Sequence, residues 1–392
     1  MSAAAKAGGD ARLIWCIALG QCIGWGTMFA VFPLFVAPME AEFGWSRAAI
    51  NAALTLGLLA SGLAAIPAGR LVDRHGGRWL LTLGAWGGAV ALAGWSAVQS
   101  LPLFWALWLA MGLAQAAALW GPAMAVVVAR ARDPARAIAG ITFVTGFTGT
   151  IFLPLGAALI TNLGWRDALL VLAGLQVLPG LLTLWLLPPD TGRPATAAAA
   201  GFSLLRAVRG PTFLALAACF SAHAFIGTGL AAHAIPLLRE RGLPEASVLL
   251  LVALHGPFQV AARAMLFALG GRVTMRGVGR LATLLLPLAM LVLALAPPEF
   301  EWLVLYVLAW AVADGLMTII RAAGVVEILG RQGYGAITGA LGAATVLPRM
   351  AAPLLLALIW EGAGGYGPVP WLLAGLGLAG AAAFTVAARV RV

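Results

Sequence analysis

Gly69-Arg70-Leu71-Val72-Asp73-Arg74-His75-Gly76-Gly77-Arg78 lies between two long apolar stretches. The same arrangement returns as Gly271-Arg272-Val273-Thr274-Met275-Arg276-Gly277-Val278-Gly279-Arg280. The matching glycines and arginines keep one constant spacing: Gly69 with Gly271, Arg70 with Arg272, Arg74 with Arg276, Gly77 with Gly279 and Arg78 with Arg280. A second echo pairs Ala137-Ile138-Ala139-Gly140 with Ala336-Ile337-Thr338-Gly339, and the stretch around Pro154 with the stretch around Pro353. The chain therefore reads as two halves of parallel design. Two mostly apolar halves of this kind are the plan of a rocker-switch carrier, with its site near the membrane midplane.

Composition carries the same message. Of 392 residues, 62% are hydrophobic and 10% charged, a balance that no water-facing globular surface sustains. The length accommodates twelve apolar helices of about 20 residues each with short connections. The expected fold is an all-α membrane protein, twelve transmembrane helices in two pseudo-symmetric six-helix bundles. Residues 1–187 would form the first bundle and 211–392 the second. The polar stretch 188–210 would be a cytoplasmic linker.

A formal net charge of +10 raises the question of nucleic acid, but the placement of the charges answers it. Arg70, Arg74, Arg78, Arg130, Arg132, Arg136, Arg272, Arg276, Arg280 and Arg331 fall in alternate loops. The intervening loops hold few cations and much of the acid, including Glu40, Glu42, Glu240, Glu299 and Glu361. This is the positive-inside pattern, and it sets both termini in the cytoplasm. The excess charge is topological, and no nucleic-acid partner is expected. One lysine among 24 basic residues, with heavy Ala and Gly usage, suggests a GC-rich bacterial genome and a cytoplasmic (inner) membrane. Cys16, Cys22 and Cys219 all fall in apolar segments and read as packing residues.

The pattern Gly-x-Leu-x-Asp-Arg-x-Gly-x-Arg at 69–78 resembles the signature loop of the major facilitator superfamily, and helix count, half-repeat and linker fit the resemblance along the whole chain. Physically, Gly69 and Gly76 suit a tight turn passing close to a neighbouring helix. Asp73 suits a helix amino terminus, where negative charge is favoured. The resemblance implies that this terminus belongs to the eleventh helix, making Gly69, Asp73, Arg74 and Arg78 a conformational gate. Arg74 and Arg78 equally suit a purely topological role. Met275 stands in place of the aspartate in the second copy, so only the first loop is expected to make the charged latch.

Polar groups inside the apolar helices should carry function, because a charge at a helix centre costs about 2.5–3.5 kcal/mol on insertion scales. Arg263, Asp314, Arg321 and Arg349 stand out, all in the second half. Three cations against one anion leave a positive potential suited to an anionic substrate. The competing reading is a structural network in which Asp314 neutralises one arginine and Arg321 snorkels towards the membrane face. Glu327 lies too near the end of its helix to join this set.

Gly256-Pro257-Phe258-Gln259-Val260-Ala261-Ala262-Arg263 resembles the eighth-helix segment of the monocarboxylate transporter branch of that superfamily. There an aspartate precedes an arginine by four; the arginine grips a carboxylate and the aspartate handles a proton. Here Gln259 stands where the aspartate would be, so only the role of Arg263 carries over. Arg136 to Ala139 with Thr145-Gly146 is a partial match to the branch's fifth helix, while its acidic-glycine-tryptophan signature before the first helix is missing. Glutamine binds a carboxylate but does not titrate, which leaves Asp314, His233 and His255 as proton-coupling candidates. His255, Gln259 and Arg263 fall at successive four-residue steps on one helix face. His223 reads as a packing histidine. The substrate-binding set is thus Arg263, Gln259, His255, Arg349, Asp314 and His233, with Gln21, Trp25, Gln115 and Thr145 as neutral partners from the first half.

The expected function is secondary transport of a small, monocarboxylate-like organic anion by a monomer in the bilayer, with proton coupling. A multidrug or toxicant exporter is the alternative, disfavoured because the fifth helix offers only Pro154-Leu155-Gly156 of an antiporter pattern and Met111–Gln115 lacks an arginine. A non-transporting sensor or lipid-handling protein is the alternative of another class. Gly375-Leu376-Gly377-Leu378-Ala379-Gly380 spells a dinucleotide fingerprint, but it lies inside an apolar helix with no preceding strand and reads as helix packing. No nucleotide loop, nucleophile elbow or metal-ligand pair occurs, so no enzymatic activity, cofactor or metal is expected.

Overall fold

The computed structural model describes residues 3–187, 203–269 and 272–389. Gly271 of the repeat and residues 188–202 of the linker lie outside the described residues. Among the described residues there is helix and no strand. Eleven spans are long and apolar enough to cross a bilayer. They are α1 (Ala11–Phe43), α2 (Ala49–His75), α4 (Leu101–Arg130), α5 (Pro134–Leu163), α6 (Trp165–Leu186), α7 (Pro211–Glu240), α8 (Ala246–Leu269), α9 (Met275–Leu295), α10 (Phe300–Leu329), α11 (Tyr334–Ala363) and α12 (Pro368–Arg389). Between α2 and α4 runs α3 (Arg78–Ser96), shorter and diluted by glycine and tryptophan, which completes the expected twelve.

These helices divide into two compact units, Met1–Phe202 with Arg331–Gly342, and Ser203–Gly330 with Ala343–Val392. In the first unit, α1 packs on α5 and α6, α2 on α4, and α3 on α4 and α6. In the second, α7 packs on α11 and α12, α8 on α10, and α9 on α10 and α12. Each pairing of the first unit thus recurs with its helix numbers advanced by six. The first core is aromatic: Phe32, Phe35, Trp95, Phe104 and Trp108 are buried, with Phe32 edge-on to Trp108 at 4.7 Å between ring centres. The second core is mainly aliphatic, around Leu230, Leu286, Met290, Leu293, Val307 and Leu373.

Local chemistry explains the ends and irregularities. Ser46, Asp133 and Thr274 cap helices by accepting from the backbone N–H three residues on. Gly76 ends α2 at φ +79°, a region that favours glycine. Two spans contain a wide π-turn, Gly26–Ala30 in α1 and Ile320–Gly324 in α10. Such turns loosen the backbone ladder and recur at functional positions.

Candidate functional site

In the second unit, polar side chains from α7, α8 and α10 converge on Asp314. His223 Nε2 lies 2.8 Å from Asp314 Oδ1, and His255 Nε2 lies 3.3 Å from Oδ2. The His255 contact is off the hydrogen-bonding line and acts electrostatically. Gln259 Nε2 donates to Oδ2 at 3.5 Å, and Gln259 Oε1 accepts from Arg263 Nη2 at 3.0 Å. Arg263 Nε also donates to the Gly315 carbonyl at 3.4 Å. An ionised carboxylate only accepts, so His223 must present N–H at Nε2. Its Nδ1 is buried with no hydrogen-bond partner. The His255 ring lies 4.0 Å from the Trp310 ring, which stacks on Tyr306.

Small residues bring these groups together. A Cβ on Gly315 would sit 2.8 Å from the Gln259 carbonyl, so glycine is needed for α8 and α10 to approach this closely. Gly227 lies one turn beyond His223 on α7, and its Cβ position faces Asp314 Oδ1. Arg263 is only 8% exposed, whereas Asp314 and His255 keep 16% and 20% of their side chains accessible.

The arrangement departs from two readings of the sequence. Asp314 meets histidines and not the arginine of the competing structural network, and His223, read as a packing histidine, makes its shortest contact. His233, ten residues further along α7 and so about 15 Å away, belongs to a different set. Its Nδ1 meets the Tyr366 hydroxyl at 2.8 Å and its Nε2 the Pro353 carbonyl at 2.9 Å. Since the carbonyl only accepts, Nε2 donates to it, and in the neutral ring Nδ1 accepts a hydrogen bond from the Tyr366 hydroxyl. Tyr366 N–H donates to Glu240, and burial, with the nearby acid, pushes the Tyr366 phenol pKa up.

Arg321 and Arg349 form another group in the same unit. Arg321 lies in the α10 π-turn; its Nη2 donates to Thr345 Oγ1 at 3.3 Å, and its guanidinium carbon lies 5.6 Å from the Phe220 ring centre. Arg349 N–H closes the helical bond to the Thr345 carbonyl at 3.1 Å, one turn further along α11. Both arginines are half-buried.

The neutral residues of the first unit mostly bond to backbone carbonyls. Gln21 Nε2 donates to the Ala118 carbonyl and Gln115 Nε2 to the Met28 carbonyl, each at 2.8 Å. The Met28 carbonyl belongs to the α1 π-turn, so Gln115 serves a group in that loosened ladder. Thr27 donates to Gln176, a fully buried glutamine that periodicity alone did not single out. Gln21 Oε1 has no hydrogen-bond partner and lines a small cavity with Cys16, Met28, Gln176 and Thr183. Trp25 is half-buried beside Phe29, and Thr145 donates to the Thr142 carbonyl.

At the loop that opened the analysis, Gly335 and Ala336 N–H groups donate to Asp73 Oδ1 and Oδ2, each at 2.9 Å. The aspartate thus caps the start of α11, all within the first compact unit. A Cβ on Gly69 would strike the Gly335 carbonyl. Arg78 reaches the Leu184 carbonyl, and Arg74 is exposed. At the second loop Glu327, set aside in the sequence as too close to its helix end, caps the helix that this loop leads into. Its carboxylate accepts from Met275 N–H at 2.6 Å and Arg276 N–H at 3.3 Å, capping α9.

Comparison with known proteins places this geometry in a class, the polytopic secondary transporters. The family model described as Major Facilitator Superfamily matches residues 17–353, and the chain belongs to that superfamily. No curated protein gives a significant match. Among solved structures, the human organic anion transporter MFSD10 (TETRAN) is 18% identical, with a TM-score of 0.73 over 96% of this chain and 99% of that one. The fucose:proton symporter FucP of E. coli, in the outward conformation, is 14% identical with a TM-score of 0.78 over 97% and 99%. The proton:xylose symporter XylE is 15% identical with a TM-score of 0.71 over 96% and 95%. At these identities the likeness is one of fold. The chain is a multi-pass membrane transporter, not an enzyme.

Proposed function

We propose that this transporter moves a small organic anion together with protons across a bacterial cytoplasmic membrane, as a monomer with both termini cytoplasmic. The observation that carries the reading is the Asp314 cluster, a carboxylate within a membrane span touched by two imidazoles. An acid in that setting is costly unless it is paired or serves a pathway. Two imidazoles beside the carboxylate supply basic nitrogens, so the cluster can take up a proton without creating an unpaired charge. Arg263 holds Gln259 against Asp314 and keeps a positive charge one side chain from the acid. The excess of intramembrane arginine over acid favours an anionic cargo. The neighbours named as an organic anion transporter and as proton symporters support both parts of the reading.

The test is flux in proteoliposomes with labelled lactate and benzoate. An imposed pH gradient should drive accumulation, and Asp314→Asn should abolish that accumulation while leaving exchange of labelled for unlabelled anion at equal pH. Accumulation by Asp314→Asn at the parental level would remove the cluster from the coupling step. Flux indifferent to the gradient in the parent would remove proton coupling altogether.

A further inference from the structure

We infer that Arg321 and Arg349 together form the site that grips the carboxylate of the transported anion, and that Arg263 is a positioning residue for the proton cluster. The inference rests on the organic-anion reading above and deepens it by moving the recognition site to other residues.

Charge pairing is the first ground. Arg166 is held by Glu42 and Arg276 by Glu327. Among the described residues no carboxylate pairs with Arg321 or Arg349. The side-chain hydrogen bond of Arg321 goes to a neutral hydroxyl, and its other close partner is the face of Phe220. An aromatic face offsets a cation only in part. Arg349 lies one helical turn beyond Thr345, the residue that Arg321 contacts. Two cations drawn to one locus within a membrane-spanning bundle are costly, and a bound anion removes that cost.

Geometry is the second ground. The site draws on three helices, and each is pinned where it contributes. On α7, Ser221 beside Phe220 donates to the Ala344 carbonyl at 3.2 Å, fixing α7 against α11. On α11, Thr345 orients Arg321 while its carbonyl takes the Arg349 N–H. On α10, the π-turn bears Arg321. Arg321 and Arg349 are half-buried, and Arg263 is buried and engaged with Gln259 and Gly315. Guanidinium forks pair bidentately with carboxylate, so two of them flanking one anion supply directional donors as well as charge.

The experiment uses the full chain in lipid nanodiscs with lactate, benzoate and succinate as probes, and lactamide and benzamide as neutral counterparts. Calorimetric affinity and ligand-induced thermal stabilisation are read together. The carboxylates should bind the parent and the amides should not. Arg321→Gln and Arg349→Gln should each weaken carboxylate binding about tenfold or more, the loss expected for a charge-assisted hydrogen bond. Arg263→Gln should leave affinity within about threefold while impairing gradient-driven accumulation. Should a glutamine variant fail to fold, Arg349→Lys and Thr345→Val carry the test: the first keeps the charge but loses the fork, the second frees Arg321, and both should lower affinity. Unchanged affinity in the folded Arg321 and Arg349 variants, with loss in Arg263→Gln, would overturn the assignment and leave the organic-anion reading standing. A parent that binds none of the carboxylates would overturn both.

Discussion

At the scale of single residues, the second unit holds the Asp314 cluster and the Arg321 and Arg349 group as separate sets. Gln259 is the hinge of the first. It donates to Asp314 and accepts from Arg263, using both ends of its amide. Gln259→Leu should therefore lower stability by about 1–3 kcal/mol, because one buried donor loses its acceptor and one acid loses a donor. Thermal unfolding in a fixed detergent measures this, and an unchanged midpoint would mean that the contacts carry no net energy. The stripe His255, Gln259, Arg263 was legible from four-residue spacing on one helix. His223 was not, since its contact with Asp314 joins residues 91 apart in the chain, and no periodicity encodes which helix will lie alongside. The combination of His223 with Gly227 one turn on, a small residue permitting close approach, was the available signal.

At the scale of elements, two helices begin on a borrowed carboxylate. Asp73 closes the first N–H groups of α11, and Glu327 closes those of α9. Each interaction combines hydrogen bonding with the favourable field of the helix end, worth about 0.3–2 kcal/mol. Asp73→Asn retains an acceptor but loses the charge, and should loosen the start of α11. Cysteines introduced near Thr338 should then react faster with maleimide than in the parent. Equal rates would leave Asp73 with a topological role only. The Asp73 contact was foreseeable because its loop carries a recognisable pattern. Glu327 was passed over because it sits near the end of its helix, and nothing local shows that its carboxylate meets a backbone N–H 52 positions away in sequence.

At the scale of the molecule, apolar periodicity and the repeated loop made helix number and class readable, because lipid demands long apolar spans with internally satisfied backbone. The recurrence of every helix pairing with numbers advanced by six is the structural counterpart of the sequence echo. What the sequence left undecided was which polar groups meet, since that depends on helix rotation set by packing. Twelve crossings alternate in direction, so exposed Arg132 and Gln332 should lie on one side of the membrane and exposed Gln99 and Pro298 on the other. Single cysteines at these four positions, tested with an impermeant maleimide on intact cells, should label only for Gln99 and Pro298. The native Cys16, Cys22 and Cys219 are buried and should contribute little background. Labelling of all four, or of the opposite pair, would reverse the topology.

The wide turn at Ile320–Gly324 also sets a phase. Upstream of it α10 presents Asp314 to α7 and α8; downstream it presents Glu327 to the start of α9. A turn of this kind holds about one residue more than an ordinary helical turn and can absorb the loss of one of its own residues. Loss of one residue from the ordinary helix at 316–319 would instead swing everything beyond it by about 100°. Glu327 would then turn away from α9 while Asp314 stayed in place. Single-residue deletions there should be far less tolerated than substitutions of the same residues, so the length of α10 is under a constraint separate from its composition.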